Sequence, residues 1–112
     1  MKLITIFLIS NACNLVFAGP ASASTAAAGP VTTVVVSRSL GRVFFSQNNS
    51  RSSMPGCATN SAWVFDYTTV QGSAQLSQIL TAYATGKPLF ISGTNNCPDT
   101  TGYESVDFAT LP

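Results

Sequence analysis

The acidic side chains of this chain are Asp66, Asp99, Glu104 and Asp107, and the chain contains no histidine. Acid–base catalysis needs two groups that converge on one reacting centre. Glu104 and Asp107 lie three positions apart on a predicted strand and therefore point to opposite faces. Asp66 and Asp99 lie on separate elements, and a serine or cysteine nucleophile would have no histidine as its base. The sequence therefore predicts a protein that is not an enzyme.

Three aromatic residues, Trp63, Phe65 and Tyr67, alternate along a predicted strand and share one of its faces. An aromatic face of this kind can stack against a sugar ring or a nucleic-acid base. The same spacing is also typical of a strand whose side chains fill the core. The pattern alone does not separate the two interpretations.

Two polar loops supply further candidate binding residues. Arg51 is the only charged residue of the loop 47–53, and Asn95, Asn96 and Asp99 lie in a second loop. Such side chains can bind sugar hydroxyls or hold calcium through oxygen ligands, and ordinary turns use the same residue types. With Trp63 and Tyr67, these four residues are the candidate ligand-binding set. The sequence predicts no metal site and no cofactor.

The N-terminus has the pattern of a secretory signal peptide. Lys2 precedes an apolar run over 3–9, and Val16-Phe17-Ala18 suits cleavage by signal peptidase after Ala18. Ala21-Ser22-Ala23 is a second cleavage site. The apolar run is too short and too interrupted by polar residues to span a membrane. We predict a signal peptide over 1–18, a secreted or periplasmic protein and no membrane span.

Cysteine content and charge agree with export. Cys13 lies in the signal peptide, so Cys57 and Cys97 remain and predict a disulfide in an oxidising compartment. Five Lys and Arg residues face four Asp and Glu residues, and loss of Lys2 brings the net charge to zero. The chain therefore offers no basic patch for phosphates, which argues against nucleic acid as a partner.

The elements that must position these residues follow the signal peptide. Residues 19–30 are rich in Ala, Ser and Gly and predict a flexible leader. β-branched and aromatic runs predict strands over 31–37, 42–46, 62–68, 89–93 and 103–111. In the last strand the alternation places Val106 and Phe108 in the core and Ser105 and Asp107 outside.

One segment has helical rather than strand spacing. Leu76, Ile79, Leu80 and Tyr83 recur at i, i+3, i+4 and i+7, which predicts a helix over 73–85 with these residues on its apolar face. Ser73 is the expected N-cap, Gly86 the expected left-handed residue at the C-terminus, and Pro88 prevents continuation.

The predicted element order is β-β-β-α-β-β. A five-stranded barrel with one helix between its third and fourth strands is the oligonucleotide/oligosaccharide-binding (OB) topology. We therefore predict a mainly β domain with one α-helix over 31–112, built as a small OB-like five-stranded barrel. The competing arrangement is an open antiparallel sheet with the helix packed on one face.

Three stretches carry a resemblance to a known family. Residues 57–63 (CATNSAW), the helix end over 80–88 (LTAYATGKP) and the strand Leu89-Phe90-Ile91 resemble the receptor-binding B subunits of bacterial toxins, of the subtilase cytotoxin type. These stretches lie within residues 57–91, which is about a third of the chain. The resemblance implies an OB fold, a ring of five subunits, a catalytic toxin subunit as partner and binding to cell-surface glycans. It assigns no sugar-contacting residue.

Two functional hypotheses follow from the sequence. The first is an exported, non-enzymatic protein that binds a glycan or another cell-surface receptor as a toxin B subunit-like module. The second is a monomeric periplasmic or secreted protein-interaction module, such as an inhibitor or accessory factor.

Overall fold

The computed structural model describes residues 24–49 and 51–112, which form a mainly β structure with one helix. In chain order the elements are β1 (Thr25–Gly29), β2 (Val31–Ser37), β3 (Arg42–Gln47), β4 (Ala58–Asp66), α1 (Val70–Thr85), β5 (Leu89–Gly93) and β6 (Gly102–Thr110). The predicted signal peptide over 1–18 lies outside the described residues. None of the described helical residues form a segment long and apolar enough to cross a bilayer.

The six strands form one curled sheet in the order β1-β5-β6-β4-β3-β2. Neighbouring strands are antiparallel except β4 and β6, which run parallel. β1 and β2 lie at opposite ends of this order, yet only Pro30 separates them in the chain. This connection brings the two ends of the sheet towards each other, and the sheet curls into a half barrel.

β1 occupies the C-terminal part of the segment 19–30 that was predicted to be a flexible leader, and residues 19–23 lie outside the described residues. Thr25–Gly29 pair antiparallel with β5, with Thr25 opposite Ser92 and Ala26 opposite Ile91. Alanine has low strand propensity, so the segment carries no local strand signal. It becomes a strand because β5 offers it backbone hydrogen-bonding groups and Ala26 is small enough to be fully buried.

The aromatic stripe of β4 does face the core, but the strand is buried on both sides. Trp63 and Phe65 belong to the main hydrophobic cluster and Tyr67 packs against it. Val64 points the other way and is also fully buried. Val64 lies between Phe44 of β3 and Ser105 of β6. The backbone N–H of Asp99 donates to Ser105 Oγ. The loop after β5 therefore reaches this outer face of the sheet.

α1 begins earlier than predicted and buries a different face. Thr69, not Ser73, is the N-cap, and its hydroxyl accepts from the Gly72 N–H at 2.9 Å. A Cβ on Gly72 would lie 1.6 Å from the carbonyl oxygen of Asp66, so only glycine allows this close approach.

The face of α1 that packs on the sheet includes Ile79 and Ala82, which are fully buried. The left-handed C-terminal residue Gly86 is confirmed, with φ of 69°.

Leu80 and Tyr83 were expected on the buried face of α1 but are about half exposed. The buried stripe consists instead of Gly72, Ile79 and Ala82, flanked by the partly buried Leu76. Small residues at 72 and 82 let the helix axis approach the sheet, which rotates the larger side chains at 80 and 83 towards solvent.

A bulge in β6 changes the predicted orientation of Phe108. Ser92 pairs with Phe108 and the next residue, Gly93, pairs with Val106, so Asp107 has no partner position on β5. An extra residue of this kind shifts the alternation by one. Val106 is buried as predicted, whereas Phe108 is half exposed, contrary to prediction. Ser105 lies on the outer face beside Val64 and is only 2% exposed, contrary to prediction, because the loop after β5 covers it.

The predicted disulfide between Cys57 and Cys97 is confirmed. It joins the residue before β4 to the loop between β5 and β6, with a Cα–Cα distance of 6.1 Å. That loop contains Asn95, whose backbone N–H donates to Glu104. The disulfide therefore attaches the polar loop to the sheet beside a buried acidic residue.

Replacing both cysteines by serine is expected to lower the free energy of unfolding by about 4 kcal/mol, because the disulfide closes a loop of 40 residues. Urea denaturation of the oxidised protein and of Cys57→Ser/Cys97→Ser measures the difference. As a control, a reducing agent should shift the wild-type midpoint and leave that of the double variant unchanged. Equal stability of the oxidised and reduced wild type would contradict the prediction.

Candidate functional site

Glu104 is fully buried and forms an ion pair with Arg51. Its Oε1 accepts from Arg51 Nη2 and from the hydroxyl of Ser24, and its Oε2 accepts from the backbone N–H of Asn95 at 2.9 Å. The Arg51 side chain is only 7% exposed. A buried charge is tolerated when it is both paired and hydrogen-bonded. The carboxylate meets both conditions because three separate chain segments supply its donors.

Sheet register places Glu104 beside Trp63. The two residues are partners in the parallel pair of β4 and β6, so their side chains project to the same face. Gly93 of β5 leaves room for both. A Cβ at this position would lie 2.1 Å from Glu104 Oε2 and 2.7 Å from Trp63 Cζ3.

Arg51 lies between the acid and the indole ring. Its guanidinium carbon is 3.7 Å from the centre of the Trp63 ring, a cation–π contact. Nη1 donates to the carbonyl of Ser61 at 2.8 Å, and Nη2 donates to the hydroxyl of Ser24 at 2.9 Å. Burial lowers the pKa of Arg51, while the charge and hydrogen bond of Glu104 act in the opposite direction. The guanidinium remains charged because arginine does not lose its proton in proteins.

A pocket of about 530 Å³ opens over this arrangement. The end of β3, the following loop and β4 line it with Ser46, Gln47, Asn49, Arg51, Ser52, Met54, Ser61 and Trp63. Arg51 is the only charged residue among them, and Glu104 neutralises it. The pocket lining therefore carries no net charge, and its volume lies within the range of small-molecule sites.

Three buried polar atoms of the pocket residues lack a hydrogen-bond partner within the described part of the chain. They are Trp63 Nε1, Arg51 Nε and Gln47 Oε1. The Gln47 amide is oriented by its other end, because Nε2 donates to the carbonyls of Gly29 and Leu89 at 3.2 and 2.5 Å. A buried polar group without a partner costs about 1–3 kcal/mol. All three atoms are shielded from solvent, so a molecule in the pocket does not contact them in this arrangement.

The structure brings together some of the predicted ligand-binding residues and separates others. Arg51 and Trp63 meet in the pocket, and Asn95 approaches the same ion pair through its backbone N–H. Tyr67 packs against the core and is not among the residues that line the pocket.

Asn96 and Asp99 hold their own loop in place instead of lining this pocket. The carbonyl of Asn96 accepts from the N–H of Ser105 at 3.2 Å, and its side-chain oxygen accepts from Thr94 at 2.6 Å. The carbonyl of Asp99 accepts from Arg42 Nε at 2.9 Å. The structure thus places both residues in turn and loop contacts.

Sequence reasoning missed Glu104 and Gln47 as members of the site. The partner of Glu104 is Arg51, which lies 53 residues away along the chain, so no local pattern connects the two. One available signal was that Glu104 shares a strand face with Val106, which is predicted to lie in the core, since a charge on a buried face requires a partner. Gln47 follows the predicted second strand and carries no signal of its own.

A second, smaller pocket of about 280 Å³ has Asp66, Asp99 and Asp107 among its lining residues. Asp66 accepts from the hydroxyl and N–H of Thr68 and pairs with Arg42 at 3.2 Å. The hydrogen bonds from Thr68, aided by the charge of Arg42, lower the pKa of Asp66. Among the described residues, no three His, Cys, Asp or Glu side chains are grouped to hold a metal ion.

Comparison of the chain with protein-family models, with curated proteins and with solved structures finds no match. The resemblance to toxin B subunits therefore stays a prediction.

Substituting Glu104 by Gln is expected to lower the free energy of unfolding by about 3 kcal/mol, because Arg51 would stay buried without an anionic partner. Urea denaturation measures the change. Asp107→Asn is the matched control, since Asp107 is an exposed acid on the same strand, and its effect should stay within about 0.5 kcal/mol. Similar stability of the two variants would show that the ion pair does not support the fold.

Substituting Gly93 by Ala is expected to cost about 3 kcal/mol, because the new methyl group would overlap Glu104 and Trp63. Trp63 is the only tryptophan, so its fluorescence should change in the folded state as well. Gly56→Ala is the control, because no atom lies within 4 Å of a Cβ built there. An unchanged midpoint and spectrum in Gly93→Ala would contradict the close packing described.

Proposed function

We propose that this protein is an exported, non-enzymatic binding protein that recognises carbohydrate at a cell surface through the pocket around Trp63 and Arg51. The observation that carries the proposal is a pocket of about 530 Å³ without net charge, lined mainly by serine, asparagine and glutamine residues. Sugar hydroxyls both donate and accept hydrogen bonds, so they suit side chains of these types. The exposed side chain of Met54 adds apolar surface, which sugar rings also present.

The strand order supports an OB-like barrel as the scaffold. If β1 and β2 count as one strand bent at Pro30, the sheet has five strands, and β3, β4, β5 and β6 become the second to the fifth. Their order in the sheet is then 1-2-3-5-4, and α1 lies between the third and fourth strands in the chain. OB folds bind oligosaccharides on the face of their second and third strands. These correspond to β3 and β4, which line the pocket here.

Export and the absence of catalysis form part of the same proposal. The disulfide is typical of oxidising compartments. Glu104 is fully occupied by Arg51, Ser24 and Asn95, and the chain has no histidine, so the site lacks a free acid–base pair. The resemblance to toxin B subunits adds the expectation of a homopentamer with a catalytic toxin subunit as partner.

A second candidate function is that of a protein-interaction module. α1 packs near β2, and both elements expose apolar side chains: Leu80 and Tyr83 on the helix, Val35 and Val36 on the strand. Exposed apolar groups on neighbouring elements favour contact with another protein. This candidate would place binding on the helix side of the domain and leave the pocket without a role.

A glycan array tests the first proposal, with Ser61→Tyr as the variant that fills the pocket. Ser61 is exposed and lines the pocket, so a tyrosine there should weaken glycan binding at least about tenfold. Ser77→Tyr is the matched control, since Ser77 is exposed on α1, and it should bind like the wild type. Light scattering after size-exclusion chromatography reports the subunit number. A strict monomer that binds no glycan would overturn the proposal and favour the second candidate.

A further inference from the structure

β2 forms one end of the sheet, and its outer edge has no partner strand among the described residues. Within that part of the chain, the backbone groups of β2 bond only to β3 and to the turn after Ser37. The pairing with β3 is regular from Thr33 to Ser37, so the strand is continuous over this stretch. A free edge of this kind presents backbone N–H and C=O groups that can pair with another strand.

The opposite end of the sheet is closed. A β-bridge joins Ala26 of β1 to Arg51 on the side of β1 that faces away from β5. The backbone N–H of Ser52 donates to the carbonyl of Thr25 at 2.8 Å, and the side chain of Asn49 donates to two further carbonyls of β1. The loop after β3 therefore occupies the outer edge of β1, and β2 is the free edge of the described sheet.

β2 lacks the features by which proteins usually keep a free edge unpaired. Such edges carry charged residues or proline, or another element covers them. β2 has the sequence VTTVVVS, without charge or proline. Val35 and Val36 point to opposite faces of the strand and are each about half exposed, so neither face is covered at this point.

The neighbouring helix is also free of charge. α1 packs near β2, and none of its residues from Val70 to Thr85 is charged. Leu80 and Tyr83 are about half exposed on it. A surface helix usually has charged residues on its solvent face, whereas the centres of protein interfaces are depleted in charge. β2 and α1 therefore suit a partner that is uncharged at the contact and offers a free strand edge.

A second copy of this chain meets both requirements. Because β2 is the free edge of the described sheet, two copies can add strand to strand only by pairing β2 with β2, which is an antiparallel, two-fold contact. If this pairing is centred on Val34, Arg38 of one copy lies opposite Pro30 of the other. Like charges, which destabilise a pair of strands when they lie opposite each other, therefore do not meet.

We infer that the outer edge of β2 pairs antiparallel with β2 of a second copy, so that the two sheets become one continuous sheet. The inference does not depend on the carbohydrate pocket. It differs from the ring of five that the resemblance to toxin B subunits implies, because a two-fold contact between identical edges closes at two subunits.

The first test compares subunit numbers by light scattering after size-exclusion chromatography. The wild type should have twice the mass of a single chain. Val35→Lys introduces a charge at the edge in both copies, so the dissociation constant of the dimer should rise about a hundredfold, which is tenfold for each copy. Phe108→Lys is the matched control and should remain a dimer, because Phe108 is half exposed like Val35 but lies on β6, which is paired on both sides.

The second test locates the contact by amide hydrogen exchange, read by mass spectrometry. Exchange in the segment 31–37 should slow as the protein concentration rises, because strand pairing protects the outward N–H groups. Exchange in β6 should not depend on concentration, since this strand is already paired on both sides. In Val35→Lys the segment 31–37 should lose its concentration dependence, and circular dichroism checks that the variant is folded. If it does not fold, the exchange of the wild type decides alone.

The outcomes are distinct from those of the glycan array. A monomeric wild type, a dimer that Val35→Lys leaves intact, or a dimer whose segment 31–37 exchanges independently of concentration would overturn the inference. A pentamer would also overturn it and would support the ring. A monomer that binds glycans removes only this inference, whereas a dimer that binds none removes only the proposed function.

Discussion

The ion pair between Glu104 and Arg51 lies inside a domain that has few other charges, and much of the surrounding structure serves it. A carboxylate that is fully withdrawn from water is stable only with a partner charge and further donors. Three segments provide them: Ser24 precedes β1, Arg51 precedes β4, and Asn95 lies in the loop after β5. These segments are far apart in sequence. The pair therefore links both ends of the described chain to its middle.

The curl of the sheet follows from the same region. β1 pairs with β5 beside the buried acid, and Pro30 then leads the chain directly into β2 at the other end of the strand order. Gly93 on β5 leaves the space in which Glu104 and Trp63 meet. The disulfide fixes the loop after β5 near the start of β4. Sheet closure and burial of the charge are thus aspects of one packing arrangement.

This arrangement also determines the character of the pocket. Arg51 would make the pocket a site for anions if its charge were free, but Glu104 has already neutralised it. What remains available to a ligand is a lining of mainly polar residues without net charge. Such a surface favours the hydroxyl chemistry of sugars over phosphate or carboxylate groups. The functional proposal therefore depends on how the charges are paired and not on how many there are.

Local patterns in the sequence determined the strands 31–37 and 89–93, the C-terminal end of the helix at Gly86 and the Cys57–Cys97 disulfide. The strands and the helix end depend on residues close in sequence. The disulfide depends on there being a single pair of cysteines after the predicted signal peptide. Tertiary structure decided β1, whose alanines have no strand propensity of their own, and the bulge at Asp107, which exposes Phe108.

The candidate site shows the same division. Its candidate residues Arg51 and Trp63 were recognisable from their types, but their contact with each other and with Glu104 was not. A charge is buried or exposed according to partners that folding brings from distant segments, and a one-dimensional pattern does not contain those distances. For this reason the sequence could name the polar and aromatic candidates, whereas only the tertiary structure could show which of them share a pocket.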